Sequence, residues 1–154
     1  MDVNILVSAC LLGAACRYDG RAKPDDAALA LAKRHNLIPV CPEIYGGLPT
    51  PREPAEMREG RVYRRCGADV TQEFARGARE TLRIARTLGC TAAVLKDGSP
   101  SCGKGLIHNG RFDGGYVAGD GMTARILEEN GIRVIAASEF SGLSADEIDA
   151  ILSG

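Results

Sequence analysis

Four short apolar runs alternate along the chain with longer segments of helical periodicity. Residues 3–9, Val3-Asn4-Ile5-Leu6-Val7-Ser8-Ala9, are apolar on both faces and too short for a buried helix, so they read as a buried strand. Residues 37–40, 91–95 and 132–137 repeat that pattern. Runs apolar on both faces belong to parallel sheets covered on two sides. Between them, Pro24 and Asp25 suit the start of a helix over 25–35, with Leu29, Leu31 and Ala32 as its apolar positions. The clearest helix spans 70–88. Its apolar residues Val70, Phe74, Ala78, Leu82, Ala85 and Leu88 recur every three or four positions, and Gly89 stops it. Two more helices are expected at 121–130, closed by Gly131, and at 144–152. Residues 61–65 read as a short edge segment.

The alternation predicts an α/β fold: a three-layer, Rossmann-like domain with a mostly parallel sheet of four to five strands. A strand order of 2-1-3-4 places the first strand between the second and third. The whole chain, 1–154, reads as one domain with long functional loops at 10–23, 42–60 and 96–118. No G-x-G-x-x-G follows the first strand, so dinucleotide binding has no support.

Composition narrows the function classes. At 154 residues the chain is long enough for a single core. Its net charge of −1 leaves no nucleic-acid footprint and no polybasic membrane anchor. No apolar run reaches the length of a membrane span. Val7-Ser8-Ala9-Cys10 resembles a lipoprotein cleavage box, but it lies too near the start, and Asp2 stands where a signal peptide carries positive charge. The expectation is a cytoplasmic protein whose six cysteines are thiols or metal ligands rather than a disulfide framework.

Three of those cysteines stand just past apolar runs. Cys10 closes the first and Cys41 the second, and Cys102 follows the third through Lys96-Asp97-Gly98-Ser99-Pro100-Ser101. Ligands in parallel α/β sheets bind beyond the carboxyl ends of the strands. If these strands are neighbours, three thiols converge, which suggests a soft-metal or iron–sulfur site. Cys16 lies in the first loop. Cys66 and Cys90 fall elsewhere and suit a bland role as small apolar residues. No C-x-x-C pair supports a zinc ribbon.

Other residues near these thiols carry chemistry. Glu43 follows Cys41 by two positions and could relay a proton, or could simply pair with Arg52 or Arg17. Ser99 and Ser101 offer hydroxyls beside Cys102, and Gly103 permits a close backbone approach to a ligand. Lys96 ends the third strand and could face the same cleft. The tract Pro51-Arg52-Glu53-Pro54-Ala55-Glu56 reads either as a rigid lid that brings Arg52 to the substrate or as a solvated loop. His35, near a helix C-terminus, reads as a dipole-compensating cap, and His108 as isolated.

Taken together, Ser8-Ala9-Cys10-Leu11-Leu12-Gly13, Cys16-Arg17-Tyr18-Asp19-Gly20, Val40-Cys41-Pro42-Glu43 with Gly46-Gly47-Leu48-Pro49-Thr50-Pro51-Arg52, and Ser99-Pro100-Ser101-Cys102-Gly103 resemble the bacterial 2-thiouracil desulfidase family. The resemblance covers roughly residues 3–137. The chain departs from it at Ile107-His108-Asn109-Gly110, where the family carries an Ile-Tyr-Asp-Gly-like segment. The resemblance implies a [4Fe–4S] cluster held by Cys10, Cys41 and Cys102, with one iron open, and catalytic roles for Glu43 and Ser99. It implies non-redox desulfuration of a small thiolated nucleobase such as 2-thiouracil to uracil and sulfide. Ser101, Arg52, Lys96 and Cys16 are candidates for contact with the substrate or the cluster surroundings. No nucleic-acid, membrane or protein partner is expected. The alternatives are other chemistry at an open-iron cluster (hydration, dehydration or sulfur transfer) and a non-enzymatic metal- or redox-sensing module.

Overall fold

The computed structural model of the protein describes residues 3–153, so Asp2 lies outside it. In chain order the elements are β1 (Asn4–Ser8), α1 (Asp26–Leu31), β2 (Asn36–Val40), α2 (Pro42–Tyr45), β3 (Ala55–Arg58), β4 (Arg61–Arg64), α3 (Thr71–Thr87), β5 (Ala92–Leu95), β6 (Leu106–His108), β7 (Tyr116–Ala118), α4 (Met122–Glu129), β8 (Arg133–Ala136) and α5 (Ala145–Ser153). Four strands form one parallel sheet in the order β2-β1-β5-β8. This is the 2-1-3-4 order expected from the sequence, counted over the sheet strands alone.

Alternating side chains of the sheet feed two cores, as a pleated strand requires. Ile5, Val7, Ala92, Val94 and Ile135 pack on one face with Ala28 and Leu31 of α1 and Ile148 and Leu152 of α5. Leu6, Ala93, Leu95 and Val134 pack on the other with Leu82 and Ala85 of α3 and Ala124 and Leu127 of α4. The result is three layers. Ile5, Leu6 and Val7 are fully buried, which explains the uninterrupted apolar run of the first strand.

The stretches 42–60 and 96–118 are not plain loops. The first holds α2 and half of an antiparallel hairpin, β3–β4, whose turn at Glu59-Gly60 takes positive φ at both residues, as two-residue hairpin turns favour. The segment at 61–65 therefore pairs with residues 55–58 and is not an edge of the main sheet. The second holds the hairpin β6–β7. Residues 10–23 begin with a 3-10 turn, Ala9–Leu12. These pieces escaped the sequence reading because each strand is only three or four residues long, too short for a period to declare itself.

His35 is also not a simple helix cap. Its Nε2 lies 2.8 Å from Asp149 on α5, and its Nδ1 faces the Val3 N–H at 3.5 Å, so it ties the first strand to the last helix.

One contact sets where α2 sits. Gly46, just past α2, and Gly77, inside α3, face each other where the two backbones meet. A Cβ on Gly77 would lie 1.9 Å from the Pro42 carbonyl oxygen, and one on Gly46 would lie 2.0 Å from that of Glu73. Helix propensity favours alanine over glycine at Gly77 by about 1 kcal/mol, whereas overpacking typically costs about 1–3 kcal/mol. Here the obstacle is backbone that cannot swing aside, so the clash wins. Gly77→Ala is expected to lower stability by about 2 kcal/mol in urea unfolding, and an unchanged or raised midpoint would show that α2 is free to shift.

Candidate functional site

The carboxyl ends of β1, β2 and β5 lie level with one another. Ser8 aligns with Val40, and Val7 with Val94. The residues that follow each strand therefore emerge along one edge of the sheet. They meet the two hairpins across a cavity of about 260 Å³.

Four thiols line this cavity: Cys10, Cys16, Cys41 and Cys102. Cys66 and Cys90 do not. Cys66 is exposed after β4, and Cys90 is buried in the core before β5, toward the opposite end of the sheet. Cys10 sits in the turn directly after β1. Cys41 precedes α2, with Pro42 at the first helical position, where its missing N–H costs nothing. The Cys41 Sγ lies 3.9 Å from the Cys16 carbonyl oxygen. Burial pushes the Cys10 thiol up from its ordinary value, and it pushes those of Cys16 and Cys102 up to about 12. Neighbouring sulfurs reinforce the rise at all three, because thiolates repel one another.

Cys102 is aimed by its own loop. The Ser99 Oγ accepts the N–H groups of Ser101 at 3.0 Å and Cys102 at 2.7 Å. Its oxygen is thereby committed to the turn, and its hydrogen is left for the cavity, which Ser99 lines. Gly103 serves the chain rather than a ligand: a Cβ there would lie 2.7 Å from the Ser99 carbonyl oxygen and 2.8 Å from Ile107. Ser101 is fully buried, bonds Thr123 at 2.7 Å and does not line the cavity.

Glu43 and Arg52 form a pair on the cavity wall. The Glu43 Oε2 accepts from Arg52 Nε at 2.9 Å and lies 2.6 Å from its Nη2. The rest of the guanidinium donates to the carbonyls of Pro49 and Cys16 and to the Thr50 hydroxyl. Arg52 is thus neither a lid nor a solvated side chain. It is a buried clamp that fixes Glu43 and joins two loops. The Glu43 Oε1 has no protein partner among the described residues.

Cations balance the thiols. Lys96 lines the cavity, and burial holds its ammonium below the ordinary lysine range, with nearby Arg17 adding to the effect. Arg17 lines it too, and its Nε is buried without a partner. A cluster ligated by thiolates is anionic, so these two charges suit one.

Several residues here had no role in the sequence reading. Ser8 is buried, accepts the Lys96 N–H at 2.9 Å, and its hydroxyl tempers the raised pKa of Cys102. Its place at the end of the first strand, two residues before Cys10, was the available signal. Glu56, Arg65, His108 and Phe112 reach the cavity from the hairpins. His108 stacks on Tyr116 with ring centroids 4.6 Å apart, and its Nδ1 is buried without a partner.

Residues 5–139 match the family described as 2-thiouracil desulfurase. The chain belongs to that family. It is 39% identical to the uncharacterized protein YbbK of Bacillus subtilis (strain 168), over 90% of this chain and 99% of YbbK. Among solved structures it is similar to the [4Fe–4S]-dependent thiouracil desulfidase TudS, with a TM-score of 0.88, 44% identity and 98% of each chain covered. The family resemblance read from the cysteine-bearing segments therefore holds, as does the α/β fold with its parallel sheet.

The donor set fits the cofactor named for TudS. Among the described residues no three His, Cys, Asp or Glu side chains come close enough to hold a single metal ion. Four thiols line one cavity, and thiolates are the usual ligands of iron–sulfur clusters.

Two expectations follow, the first from the ligand set that the family resemblance implies, Cys10, Cys41 and Cys102. Replacing Cys10, Cys41 or Cys102 by Ala is expected to abolish iron retention after anaerobic reconstitution. Cys66→Ala and Cys90→Ala should leave iron content unchanged, and Cys16→Ala should keep its cluster. Loss of iron in Cys16→Ala would mean a fourth protein ligand. The second expectation concerns pH. The Cys102 thiol ionises near 9 when unfolded and near 12 when folded. Its contribution to the stability of cluster-free protein is full below about pH 9 and is lost as pH rises toward 12. Anaerobic urea unfolding between pH 9 and 11 should show a loss of roughly 1.4 kcal/mol per pH unit from this group. Cys102→Ala should remove that share of the slope.

Proposed function

We propose that the protein is a [4Fe–4S]-dependent desulfidase that converts a thiolated pyrimidine such as 2-thiouracil to uracil and sulfide in the cytoplasm. The observation that carries this reading is the full-length likeness to a [4Fe–4S]-dependent thiouracil desulfidase, combined with the ring of thiols around one cavity. No helix of the described residues is long and apolar enough to cross a membrane.

Cys10, Cys41 and Cys102 would hold the cluster. Held there, it would supply Lewis-acid chemistry at an iron with affinity for sulfur. The remaining chemistry falls to the chain. The overall reaction, C=S plus water giving C=O plus hydrogen sulfide, changes no oxidation state but needs protons moved. The Glu43 Oε1 accepts a proton from the attacking water while Arg52 holds the other oxygen. The Ser99 hydroxyl, whose oxygen already takes two backbone N–H groups, donates its hydrogen to the substrate or to that water. Lys96 and Arg17 offset the negative charge that gathers beside the thiolates. The substrate is a small molecule held in the 260 Å³ cavity.

Glu43→Gln keeps shape and removes the proton acceptor. It is expected to retain iron and lose about 10²–10⁴-fold in sulfide release from 2-thiouracil, the usual contribution of a general base. Ser99→Ala should lose activity by two routes, since Ser99 also shapes the Cys102 turn, and iron per protein separates them. The assay is anaerobic single turnover with iron and sulfide counted for each variant. Full activity in cluster-loaded Glu43→Gln would remove Glu43 from the mechanism. A cluster-loaded unmodified protein inactive on every thiolated pyrimidine would point instead to hydration, dehydration or sulfur-transfer chemistry.

A further inference from the structure

Phe112 sits where a bulky side chain rarely does. Its φ is +56°, in the left-handed region that favours glycine. Backbone strain of this kind persists only when its surroundings hold it, and it gathers at functional sites. The holder is Glu56, a carboxylate on β3 that is only 8% exposed. One of its oxygens accepts the N–H of Gly110 at 3.0 Å and that of Phe112 at 3.1 Å. A nearly buried carboxylate is thus spent on fixing the tip of a hairpin more than fifty residues away. The ring it fixes is half-buried and lines the cavity. The Arg65 guanidinium lies over that ring, 5.6 Å from its centroid.

Glu43, Ser99 and Lys96 offer partners for the edges of a planar heterocycle. A ligand of that shape also needs a partner for its face. We infer that Phe112 is the stacking surface for the ring of the substrate and that Glu56 is the residue that positions it. The inference rests on the desulfidase reading for the identity of that ring.

The test compares binding of uracil and 5,6-dihydrouracil to cluster-loaded protein by anaerobic calorimetry. The two share their imide edge, but only uracil has a planar aromatic face. The unmodified protein should prefer uracil. Phe112→Gly relaxes the backbone at +56° and removes the ring, so its thermal midpoint should not fall. Its affinity for uracil should drop about 5- to 150-fold, the range seen when a base loses its aromatic partner, and the preference over dihydrouracil should vanish. Phe112→Tyr should keep the preference. Glu56→Ala should weaken it, and Glu56→Gln, which can still accept both N–H groups, should restore part of it. Wild-type preference in a folded Phe112→Gly, or no preference in the unmodified protein, would overturn the inference. Sulfide release from 2-thiouracil is scored separately. A protein that prefers uracil but releases no sulfide would sink the desulfidase reading and keep the stacking site, and the converse result would do the opposite.

Discussion

Parallel pairing of β1 with strands on both its sides is the constraint on which the site depends. Asn4–Ser8 is bonded to β2 along its whole length and to β5 across its middle. Because all three strands run the same way and end level, the chain must leave each of them at the same edge. Cys10, Cys41 and the loop that carries Cys102 have no other place to go. Slipping one strand by a single residue would exchange the side chains that it sends to the two core layers. The fully buried Ile5, Leu6 and Val7 forbid that slip, so the packing of two apolar layers also holds the thiols in register.

Gathering four thiols in a half-closed cavity has an electrostatic cost, visible in the raised values of Cys10, Cys16 and Cys102. In the cluster-free protein these groups are neutral at physiological pH. Binding a cluster therefore takes protons away and brings negative charge in, and the cavity is prepared for that change. Lys96 and Arg17 stand beside the sulfurs, and the Ser8 hydroxyl favours the ionised form of Cys102. Glu43, by contrast, is kept apart from this balance by its own arginine. Arg52 satisfies one carboxylate oxygen, bridges to the Cys16 carbonyl, and leaves the other oxygen for chemistry. A single guanidinium thus joins the loop after β1 to the helix after β2.

The hairpins complete the cavity by a different principle. Neither belongs to the main sheet, and neither is long enough to be stable alone. They are held by side-chain contacts: Glu56 reaches across the chain to Gly110 and Phe112, and Val62 packs with nearby Val70 and Phe74 in a small core of their own. The parallel sheet fixes the cysteine edge of the site through backbone geometry. The hairpins set the opposite wall through a few polar and apolar anchors, so this is the side on which ligand preference can vary without disturbing the thiols.

By itself the sequence determined the four strands of the parallel sheet and that Cys10, Cys41 and Cys102 follow strands, while the order 2-1-3-4, an expectation chosen to bring those strands together, was settled by the structure. The strands and the places of the cysteines follow from apolar runs of strand length and from chain direction, both local properties. It also set Cys90 apart, since that residue precedes a strand. It left Glu43 between a proton carrier and a partner of Arg52, and the structure shows a geometry that accommodates both: one oxygen paired, one free. Only the tertiary structure decided that Ser101 turns away to Thr123, that Gly103 is needed by its own chain, and that Arg52 points inward. Nor could periodicity reveal Ser8 bonding across to β5 or Glu56 holding Phe112. These are single contacts between distant segments, and a side chain's partner at such separation is set by how layers and loops meet in space, which no short-range pattern records.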